Sequence, residues 1–120
     1  MVKNLIIVGA QGSGKTTKAR KIAEQYNLQT VWVEQTNFEN PFAFSLCEKD
    51  TQLIICEEIE NIDTIFRWYL AAENGIVVNK ENQKPFLITP KIILISQSIK
   101  EADLLALGHK FSTLFDIVKC

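Results

Sequence analysis

The stretch that decides the fold is Leu5-Ile6-Ile7-Val8-Gly9-Ala10-Gln11-Gly12-Ser13-Gly14-Lys15-Thr16-Thr17. It opens with a continuous apolar run, which is typical of a strand buried on both faces. Residues 9–16 then satisfy the pattern G-x-x-x-x-G-K-[ST] in full, and an apolar repeat with helical spacing begins at Ala19. A strand, a glycine-rich loop and a helix in this order predict a loop that binds phosphate groups.

Each residue type in this loop has a physical reason. Glycines reach backbone angles closed to other residues, and their N–H groups can converge on a phosphate at the positive end of the following helix. Lys15 would reach the β- and γ-phosphates during catalysis, and the Thr16 hydroxyl would bind Mg²⁺. The predicted nucleotide-binding residues are Gly9, Ala10, Gln11, Gly12, Ser13, Gly14, Lys15, Thr16 and Thr17.

Four more segments have the pattern of strands. Leu53–Cys56 and Ile92–Ile95 are continuous apolar runs, and Val31–Val33 and Leu114–Val118 are weaker examples. The spacing of apolar residues over Ile62–Leu70 predicts a helix between two of them. Runs without polar alternation are typical of parallel strands covered by helices. We therefore predict an α/β, three-layer P-loop NTPase fold with a mostly parallel five-stranded sheet, as one domain over residues 1–120.

Two features depart from the strand–helix alternation. Ile76–Val78 and Phe86–Ile88 flank a polar stretch, which predicts an inserted β-hairpin. Pro85 lacks a backbone donor, so this hairpin should lie outside the central sheet. Ser98–Glu101 has the spacing of a capping box and predicts a last helix that ends at Gly108.

Polar side chains end two of the apolar strands. Glu57 and Glu58 follow one run, and Ser96 and Gln97 follow another. Hydrolysis of a nucleotide needs one acidic group near the metal and another to orient and deprotonate water. The alternative for the two glutamates is a solvated acidic cap on the next helix. A polar group after the other strand would contact the γ-phosphate or the attacking water.

The order of these motifs resembles the ATPase core of superfamily-three helicases, which belong to the AAA+ class and occur in small viruses, phages and mobile elements. The resemblance extends from Lys3 to about Val118. It implies that Glu57 is the metal-side carboxylate and that Glu58 is the catalytic base. It also implies a catalytic sensor role for Gln97, where the family usually has Asn.

The same resemblance implies a partner and an assembly. In that family the hairpin before the sensor strand carries a basic residue that grips single-stranded DNA, and Lys80 and Lys84 occupy that loop here. The implied function is a Mg²⁺- and ATP-dependent ATPase that acts in DNA replication of a phage, plasmid or other mobile element. Its partners would be ATP, single-stranded DNA and further copies of the chain.

The chain departs from the family at the arginine finger, which a neighbouring subunit supplies from beyond the sensor strand. Arg20 and Arg67 are the only arginines, so none follows that strand. Lys110 lies at about the finger's position, but an ammonium lacks the planar, two-pronged geometry of a guanidinium. We therefore expect slow hydrolysis by the isolated chain.

Composition sets limits on the function. The chain has 120 residues, is 47% hydrophobic and 22% charged, and has a net charge of −1, so no overall positive field attracts it to nucleic acid. No apolar run approaches the roughly 18 residues of a membrane span, and we expect a cytoplasmic protein. The three cysteines have no metal-type spacing and are expected to be reduced thiols.

Two other functions stay open from the residues alone. The loop also fits small nucleotide or metabolite kinases, although such enzymes usually clamp phosphates with several arginines. The other alternative is a nucleotide-binding interaction module that does not hydrolyse ATP. Transfer of labelled phosphate to water, to an acceptor or to neither would separate the three functions.

Overall fold

The computed structural model describes residues 3–34 and 38–120. Residues 1, 2 and 35–37 of the predicted domain lie outside the described part. The described strands are β1 (Asn4–Val8), β2 (Thr30–Glu34), β3 (Leu53–Glu57), β4 (Ile76–Val78), β5 (Phe86–Ile88), β6 (Lys91–Ser96) and β7 (Phe115–Lys119). The described helices are α1 (Lys15–Gln25), α2 (Ile62–Asn74), α3 (Glu101–Leu105) and α4 (His109–Leu114).

The central sheet has five strands in the order β2-β3-β6-β1-β7, and every neighbouring pair is parallel. This confirms the predicted α/β fold and its parallel sheet. The three strongest apolar runs form the adjacent strands β3, β6 and β1, which occupy the middle of the sheet. β6 therefore lies between the strand that precedes the glycine-rich loop and the strand that ends at Glu57, directly before Glu58.

Helices cover both faces of the sheet. Successive side chains of a strand point to opposite faces, so Ile6 and Ile7 enter two different apolar clusters. Ala19 of α1 packs in the cluster around Ile7, and Trp68 of α2 and Phe111 of α4 pack in the cluster around Ile6. In residues 3–34 and 38–120 no helix has the length and apolar character needed to cross a bilayer.

Strands β4 and β5 form a separate antiparallel hairpin, as the sequence predicts. One of its faces packs on the core, because Ile76, Val78 and Ile88 are buried. On the other face Val77 and Leu87 are paired across the hairpin and are 56% and 60% exposed. The hairpin therefore forms part of the layer that covers one face of the sheet.

Residues 38–52 lead into β3, and the sequence predicts no element here. This segment consists of turns that insert Phe44 and Cys47 into the apolar core. The rings of Phe38 and Phe44 meet Trp68 edge-on, with centroids 5.1 and 5.6 Å from the indole. These aromatic contacts fasten the segment to α2, beside the hairpin.

The predicted last helix is wrong at both ends. α3 begins at Glu101 and not at Ser98, because Lys100 is extended and Ile99 turns into the core. The Ile99 N–H donates to Ser96 Oγ at 3.1 Å, which holds the chain in this non-helical path. The helix ends before Gly108, whose φ of 97° starts the separate helix α4.

Candidate functional site

The strand order brings the predicted site residues to one edge of the sheet. Parallel neighbouring strands end at the same edge, so the segments that follow β1, β3 and β6 meet there. They enclose a cleft of about 370 Å³. The cleft is lined by Gln11, Gly12, Lys15, Thr16, Glu57, Glu58, Glu60, Ile95 and Gln97.

The glycine-rich loop wraps around the N-terminus of α1. Gly12 and Gly14 have φ values of 80° and 90°, a region that favours glycine, and Gly14 is the N-cap of the helix. No side chain in the described part caps α1, and its first turn contains no acidic residue. The first-turn N–H groups and the helix dipole therefore face the loop without a side-chain acceptor, as an anion site requires.

Lys15 is held inside the loop and is only 8% exposed. Its Nζ donates to the Ala10 carbonyl at 2.7 Å and lies 3.5 Å from Ser13 Oγ. These contacts fix a positive charge at the wall of the cleft. The other predicted nucleotide-binding residues do not line the cleft, namely Gly9, Ala10, Ser13, Gly14 and Thr17.

Thr16 and Glu57 are 41 residues apart in sequence and touch in the structure. The Thr16 hydroxyl donates to Glu57 Oε1 at 2.9 Å. Mg²⁺ prefers oxygen ligands and is usually held by one or two protein oxygens together with phosphate and water. The donor chemistry of this pair fits that ion, and these two residues would hold it.

The two residues after Glu57 place further carboxylates at the cleft. Glu58 has a φ of 60°, a left-handed conformation that is uncommon outside glycine, asparagine and aspartate. Ile59 is 3% exposed, and its N–H donates to the Ile95 carbonyl at 3.0 Å. Anchoring Ile59 in this way returns Glu60 to the cleft, so Glu58 and Glu60 both line it.

Glu60 lines the cleft although no motif in the sequence singles it out. The signal that indicates it is the alternation of Glu58, Ile59 and Glu60, in which a buried apolar residue separates two carboxylates. In this segment Ile59 is buried and bonded to Ile95, and the carboxylates on either side of it line the cleft.

The two polar residues after β6 differ in position. Gln97 is exposed and lines the cleft. Ser96 is fully buried, and its hydroxyl accepts the Ile99 N–H. Ser96 therefore supports the turn that follows β6 and does not line the cleft.

Three lysines that do not belong to the glycine-rich loop were also predicted as functional residues, two for contact with DNA and one at the position of the arginine finger. All three lie away from the cleft. Lys80 and Lys84 belong to the segment between β4 and β5, and neither lines the cleft. Lys80 is paired with Glu48, whereas Lys84 is exposed. Lys110 is exposed on α4 and also does not line the cleft of its own chain.

A second cleft, of about 430 Å³, lies between residues 38–44, α2 and β4. Its lining is mostly apolar and amide side chains with one cation, Arg67, which is ion-paired to Glu39. It lacks both a glycine-rich loop and a carboxylate. Although it is the larger of the two, its chemistry does not fit a nucleotide phosphate chain.

Gly9→Ala is expected to weaken both nucleotide binding and folding. An added Cβ would lie 2.6 Å from the Cys120 carbonyl oxygen and 2.7 Å from Ser13 Oγ, so the start of the loop has to shift. Such overpacking costs about 1–3 kcal/mol of unfolding free energy. Thermal unfolding and calorimetry with Mg·ATP measure the two effects.

Gly108→Ala is the matched control for this substitution. Gly108 has a φ of 97°, which strains an alanine there, but nothing beyond its own chain neighbours and helix lies within 4 Å of an added Cβ, and it is far from the loop in sequence. It should lower stability and leave Mg·ATP affinity unchanged. Unchanged affinity in Gly9→Ala would show that the loop tolerates the shift and would contradict this prediction.

Neither a protein-family profile nor a curated protein matches the sequence. Solved structures similar to the chain include the C-terminal region of NrS-1, with a TM-score of 0.62 at 16% identity, and JCV helicase, with 0.63 at 13%. Thermotoga maritima RuvB, in a mutant form, is similar with a TM-score of 0.58 at 16% identity.

Each similarity covers 98% of this chain but only 29%, 35% and 38% of the three other chains. The chain therefore spans about a third of the length of the structures it matches. At these identities the likeness concerns the fold. The parallel five-stranded sheet with a separate antiparallel hairpin has the fold of P-loop NTPases, and it is similar to that of helicases and RuvB.

Proposed function

We propose that this chain binds Mg·ATP in the cleft at the carboxyl edge of the sheet and hydrolyses it. The observation that carries the proposal is the meeting of three separate segments in one cleft. Phosphoryl transfer to water requires groups of the kinds that meet there. They are the ammonium of the loop, a hydroxyl–carboxylate pair, and polar groups after β3 and β6.

The proposed chemistry assigns a role to each side chain. Lys15 exchanges its contact with the Ala10 carbonyl for contacts with the β- and γ-phosphates. Thr16 and Glu57 would hold Mg²⁺, which neutralises phosphate charge when bound. Glu58 orients a water opposite the leaving oxygen and accepts its proton. The new bond joins the water oxygen to the γ-phosphorus, the bond to ADP breaks, and Gln97 contacts the transferred group.

The backbone of Glu58 supports its assignment as the base. A left-handed conformation costs a residue with a Cβ about 1–2 kcal/mol, and such strain is found preferentially at active sites. A hydrogen-bonded Ile59 on one side and β3 on the other hold this strained position. Glu58 lines the cleft in this conformation.

We also propose a biological role for this chain. We place the chain as a cytoplasmic, helicase-like ATPase in DNA replication of a phage, plasmid or other mobile element, as the likeness to helicase folds suggests. Arg20 lies over the Trp32 ring, and Arg67 pairs with Glu39, so neither lines the cleft. A second copy would have to supply Lys110 or another cation, and the basal rate is therefore low.

Incubation of the chain with γ-labelled ATP and Mg²⁺, followed by thin-layer separation, tests the proposal. We expect slow release of free phosphate, with an increase when Mg·ATP promotes assembly in size-exclusion chromatography. A labelled acceptor would instead identify a phosphotransferase. Binding without turnover, even in the assembled form, would leave a nucleotide-controlled interaction module.

A further inference from the structure

Lys80 is not a solvated lysine at the tip of a loop. Its side chain is only 15% exposed, and its Nζ lies 2.5 Å from Glu48 Oε1, on the segment between β2 and β3. The other lysine of this loop, Lys84, is exposed. The two hairpin lysines therefore differ in their availability to an anionic ligand.

A hydrogen bond and a cation–ring contact accompany the Lys80–Glu48 pair between the hairpin and residues 38–52. Asn79 Nδ2 donates to the Pro41 carbonyl at 2.9 Å, and Lys49 Nζ lies 5.7 Å from the centroid of the Phe86 ring. These contacts join the two ends of the hairpin loop to a segment that runs directly into β3. The hairpin is thus connected to the strand that ends at the cleft.

A buried thiol adjoins the ion pair in the chain, because Cys47 directly precedes Glu48. Cys47 is fully buried, and burial raises the pKa of its thiol. The charge of Lys80 lowers that pKa and the charge of Glu48 raises it. Access of solvent to Cys47 therefore reports whether this corner of the molecule is closed.

We propose that the Lys80–Glu48 ion pair is a latch that closes the hairpin onto residues 38–52 and withholds Lys80 from single-stranded DNA. The latch rests on the proposed function for the identity of the anion. A DNA phosphate has to displace Glu48 before Lys80 can bind it, whereas Lys84 can bind at once. Opening the latch also loosens the segment that leads to β3.

Site-resolved alkylation of Cys47 tests the latch without any nucleic acid. Glu48→Gln should raise the rate of Cys47 labelling about two- to fivefold, the range expected for loss of a partly exposed ion pair. Raising the salt concentration from about 0.05 to 0.5 M should accelerate labelling in the unmodified chain and have little effect on this variant. Mass spectrometry separates the sites.

Two controls make this measurement specific. Cys56 is also fully buried, so equal acceleration at Cys56 would indicate general loosening and overturn the latch. Asp50→Asn removes one negative charge from the same exposed stretch and should leave Cys47 labelling unchanged. Labelling of Cys47 at the unmodified rate in Glu48→Gln would equally overturn the proposal.

An oligothymidylate added to the same samples tests whether single-stranded DNA is the anion that displaces Glu48 from Lys80. It should accelerate Cys47 labelling in the unmodified chain, and Glu48→Gln should bind it about two- to fivefold more tightly than Asp50→Asn does. The salt dependence of binding should steepen by roughly 0.7 in Glu48→Gln, as one more phosphate contact requires. Lys84→Ala should weaken binding in both backgrounds.

The outcomes separate the latch from the proposed function. If Glu48→Gln opens Cys47 but no variant binds the oligonucleotide at low salt, the ion pair is a latch and the DNA-binding role is wrong. If the oligonucleotide binds with equal affinity to Glu48→Gln and Asp50→Asn and leaves Cys47 closed, DNA binds without Lys80 and the latch proposal is wrong.

Discussion

Lys15→Ala is expected to abolish measurable Mg·ATP binding, with a loss of at least about 100-fold. Charge-assisted hydrogen bonds to phosphate in a partly enclosed site are among the strongest polar contacts, and Lys15 is the cation that lines the cleft. Its ammonium is already held at the loop by the Ala10 carbonyl, so little ordering is needed on binding. Isothermal titration calorimetry with Mg·ATP measures the effect.

Lys18→Ala is the control for overall charge. Lys18 lies one turn further along α1, is exposed and carries the same charge. It should retain Mg·ATP affinity within about twofold, since an exposed charge at this distance is largely screened. Circular dichroism should show the same fold for both variants. Unchanged affinity in Lys15→Ala would contradict the assignment of this loop as the phosphate site.

Glu58→Gln is expected to lower ATP hydrolysis by about 100-fold or more while Mg·ATP binding persists. The amide keeps the shape of the side chain but cannot accept a proton from water, and general-base catalysis contributes about this factor. The binding groups Lys15, Thr16 and Glu57 are unchanged. Single-turnover release of phosphate, at a nucleotide concentration that saturates the variant, measures the chemical step.

Glu60→Gln and Glu57→Gln distinguish the three carboxylates of the cleft. Glu60 lines the same cleft and loses the same charge, but it has no assigned part in the proton transfer, so hydrolysis should persist. Glu57→Gln should weaken Mg·ATP binding, because it removes the acceptor of the Thr16 hydroxyl and a metal-side oxygen. If Glu60→Gln loses hydrolysis and Glu58→Gln does not, the base is Glu60.

The hairpin changes the interpretation that the sequence alone suggests. Two lysines in a polar loop resemble a pair of equivalent phosphate contacts, but in the structure only Lys84 is exposed, and Lys80 is paired with Glu48. A double substitution of both lysines would therefore mix loss of a ligand contact with loss of a tertiary contact. Separate variants, with Glu48→Gln as the third, keep these effects apart.

Much of the fold follows from local patterns in the sequence. Continuous apolar runs predicted β1, β3 and β6, because a strand that is covered on both faces has apolar side chains at successive positions. The glycine-rich loop and helix α1 followed from residues adjacent in the chain, and so did the hairpin at the margin of the core. Each of these elements depends on backbone preferences and burial, which neighbouring residues already express.

The tertiary structure decided the features that join distant residues. Strand order placed β6 between β1 and β3, which brought Gln97 into the cleft, and the anchoring of Ile59 brought Glu60 there too. The Lys80–Glu48 contact joins positions 32 residues apart. The start of α3 was mispredicted because burial of Ile99 outweighs a local capping pattern. These features depend on which surfaces pack together in the fold, and a local sequence pattern does not specify that packing.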